Sequence, residues 1–273
     1  MIKLLNAGFT RLRKNKIFWL LSIFSIGFAL VLINGQYGNM KTYGETVEIG
    51  TLIGSYPMLI GIVIAIFISL FLGAEYSDGA IRNKISIGHK RKNIYLSNLI
   101  ISSIVSLFFY AIFLLTTIAI GIPLFGVGTI PISVILNKII VLVLVIIAYS
   151  SIFTFVAMIC SNKTVIAITT ILLAFGMIFF VTYCYNILTT PEYIQVATLV
   201  DGETQYKEEY NPKYPSPEKR KVYETLLDII PAGQTVQIQE RNSNLEILLG
   251  YSLGIIVVFT SSGLMLFKKK ELK

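Results

Sequence analysis

The sequence predicts an all-α membrane protein with six transmembrane helices, and three observations lead there. The chain of 273 residues is 55% hydrophobic and only 14% charged, where a soluble globular domain carries roughly 25% charged residues. Its charges are clustered, and between the clusters lie six apolar runs, at 17–33, 55–72, 99–124, 139–159, 165–187 and 247–267. Each is close to the ~20 residues that cross a hydrocarbon core. The mean hydropathy is +0.74, and six long runs with so few charges disfavour a soluble protein with an outsized core.

The elements follow in chain order. Residues 1–16, MIKLLNAGFTRLRKNK, combine five basic residues with apolar Ile2, Leu5, Phe9 and Leu12. That spacing predicts an interfacial helix drawn to an anionic leaflet. A basic start before an apolar run also suits a signal peptide, but no small-residue cleavage site follows, so 17–33 is expected to be retained as the first span. Trp19 is expected to anchor it at the interface. A polar loop at 34–54 leads to the second span. Residues 73–97, GAEYSDGAIRNKISIGHKRKNIYLS, hold Arg82, Lys84, Lys90, Arg91 and Lys92 with only Glu75 and Asp78 as acids. Asp78 stands where an N-cap would stand, Ala80, Ile81, Lys84 and Ile85 recur at helical spacing, and Gly88 is a natural stop. A short amphipathic helix held between two spans is predicted there. The third span closes at Pro123 and the Gly126, Gly128, Pro131 turn, and a tight polar 161–164 separates the fourth from the fifth. The hydrophilic segment 188–244 precedes the sixth span. Its first half is expected to be an exposed loop. Its second half, with Val222, Leu226, Leu227, Ile229 and Ile230, fits either a short helix re-entering or lying on the outer leaflet, or a surface loop with one anchored turn.

The charges orient the chain. Five basic residues before the first span, five in 73–97, Lys163 and four in the KKKELK tail fall on one side. Lys41, Lys138 and six within 188–244 fall on the other, with twelve of the fifteen acidic residues. The positive-inside rule places both termini in the cytoplasm.

Much chemistry is missing from the pattern. There is no phosphate-binding glycine loop, no H-E-x-x-H and no G-x-S-x-G. His89 is the only histidine, and Cys160 and Cys184 fall in no ligand pattern. An enzyme, a metal site and a nucleic-acid partner are therefore not expected. The spans carry almost no ionisable groups, which weighs against ion-coupled transport.

An apolar span running into G-A-E-Y-S-D-G-A-I-R-N-K, then G-H-K-R-K-N-I-Y-L-S-N leading into the third span, resembles the permease subunits of the ABC-2 transporter family. Family members carry an acidic residue, a glycine followed by a small residue, then a short coupling helix; here Glu75, Gly79 and Ala80 match. The basic amphipathic start, the long loop before the last span and Ile230-Pro231-Ala232-Gly233-Gln234 are similar too. The chain looks most like small permeases of low-GC Gram-positive bacteria that move antibiotic peptides or serve general efflux.

The resemblance implies a type V exporter-like permease in a bacterial cell membrane. Two permease subunits, alike or different, would each hold a separate ATPase subunit that binds ATP and magnesium, with no cofactor in this chain. It places coupling at Glu75, Asp78, Gly79, Ile81, Arg82, Lys84 and Ile85, with Ile81 and Ile85 entering a groove of the ATPase. It places the path of a peptide or amphipathic substrate along spans two and five, where Tyr56, Ser69, Thr170, Phe175, Phe179 and Tyr183 are candidates; for any single one of them ordinary helix packing is the favoured account. A receptor, sensor or assembly protein acting through 188–244 is the alternative from another class.

Overall fold

The computed structural model describes residues 1–44, 46–200, 203–239 and 244–271. Residue 45 of the 34–54 loop, residues 201–202 and 240–243 of the 188–244 segment, and the last two residues of the basic tail lie outside them. Among the described residues six helices are long and apolar enough to cross a membrane, and the chain is an all-α membrane protein with one small hairpin.

Helix α1 (Ile2–Arg13) turns at Lys14 and Asn15 into α2 (Lys16–Tyr43). The Asn15 Oδ1 accepts from the amides of Ile17 at 2.9 Å and Phe18 at 3.1 Å, satisfying two of the free donors of the new helix. The exposed Trp19 donates its indole N–H to the Arg13 carbonyl at 3.0 Å. Helix α2 does not stop at residue 33. It continues through Asn34 and Gly38 to Gly44, which caps it at φ +68. At 1.5 Å per residue it is about 42 Å long, more than the ~30 Å hydrocarbon core, so its polar last turns project beyond it. The polar glycine-rich composition of 34–43 had pointed to a loop.

The second span is two helices, α3 (Ile49–Ser55) and α4 (Pro57–Ser77). Pro57 has no N–H to give the Ile53 carbonyl, and the helix breaks there. The short α5 (Ala80–Ser86) follows. Helix α6 (Arg91–Phe125) begins well before residue 99, so the basic residues after Lys90 belong to a helix rather than to the loop. Helices α7 (Ile132–Ile159) and α8 (Lys163–Leu188) complete five spans, and α8 is capped by Asn162.

The 188–244 segment is more ordered than its composition suggests. Strands β1 (Tyr193–Val200) and β2 (Glu203–Tyr210) form an antiparallel hairpin where an exposed loop was expected. The predicted amphipathic turn is α9 (Pro217–Ile229). After it, α10 (Pro231–Gln237) dips into the bundle, with Pro231 through Thr235 all buried, and packs against α4, α7, α8 and α9. Helix α11 (Leu245–Lys269) is the sixth span.

Helix α4 is the axis of the bundle. Its span is 71% buried, against 17% for α11 and 22% for α8, which form the rim. Close approach is achieved with small residues, as is usual where lipid supplies no hydrophobic drive. A Cβ on Gly61 would stand 2.8 Å from the Tyr149 ring, and the Ser150 and Ser106 hydroxyls bond at 3.0 Å between α7 and α6. Tyr56 stacks on Phe113 at 4.4 Å and shares a 2.7 Å hydrogen bond with Ser25 of α2.

Gln234, fully buried, donates to the Asp228 carbonyl at 2.7 Å and accepts from Ser252 at 2.8 Å, joining α9, α10 and α11. The adjoining Gly233 is sterically fixed. A Cβ there would meet the Leu227 carbonyl oxygen at 2.3 Å and its Cα at 2.6 Å, backbone atoms that cannot swing aside. Gly233→Ala is therefore expected to lower the thermal midpoint of the purified protein, with a strain of about 1–3 kcal/mol typical of overpacking. An unchanged midpoint would show that this corner yields.

Candidate coupling elbow

At the end of α4 the chain turns back sharply. Asp78 does not cap α5; it is the C-cap of α4, exposed, and accepts from Ser77 Oγ at 3.0 Å. The N-cap of α5 is Gly79, held at φ +66 in the left-handed region where a side chain would be strained. Gly88, at φ +92, ends the elbow as its sequence position suggests.

The elbow is built around Glu75. Its carboxylate is 2% exposed and takes an ion pair from Arg11 Nη1 at 2.7 Å, another from Lys84 Nζ at 2.5 Å, and a hydrogen bond from Asn98 Nδ2 at 2.9 Å. One side chain of α4 thereby joins α1, α5 and α6. Arg11 also donates to the Phe71 carbonyl at 3.2 Å and lies 3.8 Å over the Phe71 ring. Burial lowers the Arg11 pKa from its ordinary value, and the Glu75 charge opposes that shift. Helix α1 seats itself through Leu4, Gly8 and Leu12, the face that meets α6, rather than through Ile2, which is 75% exposed. Gly8 permits this, because a Cβ there would stand 2.1 Å from the tip of Ile101.

The C-terminal tail closes the same end. Arg91 Nη1 donates to the carbonyls of Phe267 and Lys268, both at 3.2 Å, and to that of Lys270. Lys270 Nζ reaches the Met158 carbonyl at 2.9 Å, the Cys160 carbonyl at 3.0 Å and the Tyr76 hydroxyl at 3.0 Å. Two cations thus stand at the C-termini of α11 and α7, where helix dipoles favour positive charge. A cavity of about 230 Å³ lies between the elbow (Glu75, Tyr76, Gly79, Arg82) and Ser161 and Glu271.

The structure redistributes the sequence-derived coupling residues. Ile81 is 1% exposed and roots α5 in the bundle; it does not offer its side chain to an outside groove. Ile85 is half-buried against the same core, and Lys84 is engaged by Glu75. The apolar stripe of α5 faces its own protein, because a seven-residue helix needs tertiary packing to persist. What α5 turns outward is Arg82, Asn83, Ser86 and, beyond its end, Ile87, which is 78% exposed.

The six path candidates do not converge. Tyr56, Ser69 and Thr170 are fully buried, and the hydroxyls of Ser69 and Thr170 bond back to the carbonyls of Ile66 at 3.0 Å and Ile166 at 2.8 Å. All three pack inside the bundle here. Phe175, Phe179 and Tyr183 lie on the exposed face of α8. Sequence reasoning missed Arg11, Asn98 and Lys270 as parts of the elbow, and saw Arg91 only as one of its basic residues. Asn98 gave the one visible signal, an amide where the third apolar run begins.

Fold and elbow together define a multi-pass membrane protein whose second and third spans are joined by a short helix rooted in the bundle. A model of ABC-2 family transporter proteins matches residues 4–130, from α1 through the elbow and α6 to the turn before α7. No curated protein matches the chain. Over this matched part, just under half of the chain, the sequence is similar to ABC-2 family transporter proteins.

Two outcomes follow. Glu75→Gln leaves the Arg11 and Lys84 cations uncompensated, and breaking a buried pair costs about 3 kcal/mol or more; the thermal midpoint should fall clearly further than for the exposed Asp78→Asn. Burial pushes the Lys270 ammonium from 10.5 down to about 8, with Arg91 adding repulsion and Cys160 opposing. Between pH 8 and 10 the unfolded chain therefore holds more protons on this group, and stability rises with pH. The stability difference between the native chain and Lys270→Met should grow over that interval; a constant difference would contradict it.

Proposed function

We propose that this chain is the membrane-spanning subunit of an ATP-driven exporter in a bacterial cell membrane, carrying a peptide, antibiotic or other amphipathic compound. Two permease subunits pair, and each engages a separate ATPase subunit that binds ATP and magnesium. The observation that carries this reading is the elbow: a short helix rigidly tied to three other elements through Glu75, with a small surface turned outward. A merely solvated connector needs no buried ion cluster behind it.

In this reading the ATPase meets Arg82, Asn83, Ser86 and Ile87, while Gly79 sets the angle of the elbow and Ile81, Lys84 and Glu75 transmit movement into α4 and α6. Asp78 and the half-buried Ile85 flank that surface. The basic residues of α1, the elbow, Lys163 and the tail gather at this one end, so the positive-inside rule places it and both termini in the cytoplasm. Nucleotide-driven closure of the ATPase pair would then swing the elbows as rigid bodies and alternate access to the path. The exposed aromatic face of α8, with Phe175, Phe179 and Tyr183, suits an amphipathic cargo better than an ion.

The test is purification of the tagged chain from its native membranes. An ATPase subunit is expected in equal amount, and Ile87→Arg should release it without moving the thermal midpoint. Ile81→Arg, by contrast, should lower the midpoint itself, because it places a charge in the core. An ATPase retained by Ile87→Arg would remove α5 from the interface, and no ATPase at all would overturn the reading.

A further inference from the structure

We infer that the C-terminal tail is a latch on the elbow: it pins the last turn of α4 to the end of α7, and the elbow swings only when Lys270 withdraws. The inference rests on the proposed coupling through α5 and adds a restraint upon it.

The latch is one ammonium with all its donors used. Lys270 is the C-cap of α11, where the backbone becomes extended and the chain leaves the helix. Its three N–H groups meet three oxygens, the carbonyls of Met158 and Cys160 and the Tyr76 hydroxyl, and Nζ stands 4.2 Å over the Tyr76 ring. The Tyr76 hydroxyl in turn donates to the Met158 carbonyl at 2.7 Å, which closes the triangle. The two carbonyls belong to the end of α7, where a helix leaves acceptors without intrahelical partners. They are capped by a residue 112 and 110 positions further along the chain. Arg91, at the start of α6, holds the same tail through the carbonyls of Phe267, Lys268 and Lys270. The tail therefore ties α4, α6 and α7 together at the elbow end.

Two features make this contact a latch rather than a permanent joint. Tyr76 follows Glu75 directly, so whatever restrains Tyr76 also restrains the cluster that holds α5. Helix α5 packs on α4 and α6, while the cavity of about 230 Å³ separates the elbow from Ser161 and Glu271 and leaves it room to move. The grip is also opposed from within. Glu75 has cations as partners, but the three acceptors of Lys270 are neutral. Burial works against its charge and Arg91 adds repulsion, which offsets much of what the hydrogen bonds contribute. A contact held in this way is suited to release.

The experiment follows amide hydrogen exchange of the full purified chain in lipid nanodiscs, which reads local opening segment by segment. Lys270→Met and removal of residues 270–273 should each speed exchange several-fold at 74–88 and 156–162. Tyr76→Phe, which takes the hydroxyl out of both bonds, should act in the same direction. Lys269→Met changes an exposed neighbour and should leave these rates as they are. Helix α10, buried at the opposite end, reports overall integrity and should keep its native rate. Unchanged exchange at 74–88 overturns the inference. Equal acceleration in α10 overturns it too, because the tail would then be a fastener of the whole fold. With the ATPase captured as above, basal ATP hydrolysis should rise several-fold in Lys270→Met, and a native rate beside faster elbow exchange also rejects the latch. Absence of any captured ATPase rejects the exporter reading instead, and the exchange rates then decide by themselves whether the tail restrains the elbow.

Discussion

A single carboxylate sets the geometry at one end of this molecule. Glu75 lies almost wholly out of water, where an uncompensated charge costs several kcal/mol, and it is tolerable only because Arg11, Lys84 and Asn98 converge on it. Those partners come from three different elements. Moving α1, α5 or α6 alone would leave charge or an amide stranded in the interior, so the elements hold one another in place. A buried ion cluster is weak evidence for stability, since well-packed apolar groups would do as well. Its contribution here is geometric: it admits one arrangement of four helices.

The two ends of the bundle are secured by different chemistry. At the elbow end the fasteners are cations: Arg11 and Lys84 on Glu75, Arg91 on the last carbonyls of α11, and Lys270 on those of α7. At the opposite end they are mostly amides, hydroxyls and a carboxylate, joined by Lys138 Nζ on the Gln239 carbonyl at 3.3 Å. Gln234 bridges α9 to α11, and Glu48 accepts from the Thr129 amide at 3.0 Å and from its hydroxyl at 2.5 Å, clasping the turn before α7 to the start of α3. Cations at helix C-termini are favourable anywhere. Their concentration at one end is also the charge asymmetry on which the proposed orientation rests.

The spans were legible because a long apolar run has few other meanings, and the elbow was legible because Ala80, Ile81, Lys84 and Ile85 recur at helical spacing before Gly88, although its cap is Gly79 and not Asp78. Which way the elbow helix faces was not. Ile81 and Ile85 mark an apolar side, but periodicity does not say whether that side meets another protein or its own bundle; the burial of Ile81 shows the latter. The polar last turns of α2 were hidden for a related reason, since Gly35 and Gly38 read as breakers and a helix beyond the hydrocarbon needs no apolar stripe. The hairpin escaped because the charges of β2 resemble those of a loop, and its partner strand is defined only by pairing. Arg11 and Asn98 are unremarkable in sequence and acquire their role through contacts 64 and 23 residues distant along the chain.

The distribution of burial bears on how such an elbow could act. Helix α4 is enclosed by α6, α7 and α8 and carries Glu75 in its last turn, whereas α8 and α11 are open on their outer faces. In the proposed coupling, a load applied at Ile87 would pass through α5, which is too short to bend, to Ile81 and Lys84 and then to the Glu75 cluster. From there it would reach the most tightly held helix first. Because α4 is broken from α3 at Tyr56 and Pro57, the displacement need not travel the whole span: the α4 segment can tilt while α3 stays with the turn that Glu48 clasps. A continuous helix would move both ends together. The break after Tyr56 thus divides the central span into a part tied to the elbow and a part tied to the opposite end, the division that the proposed switch would use.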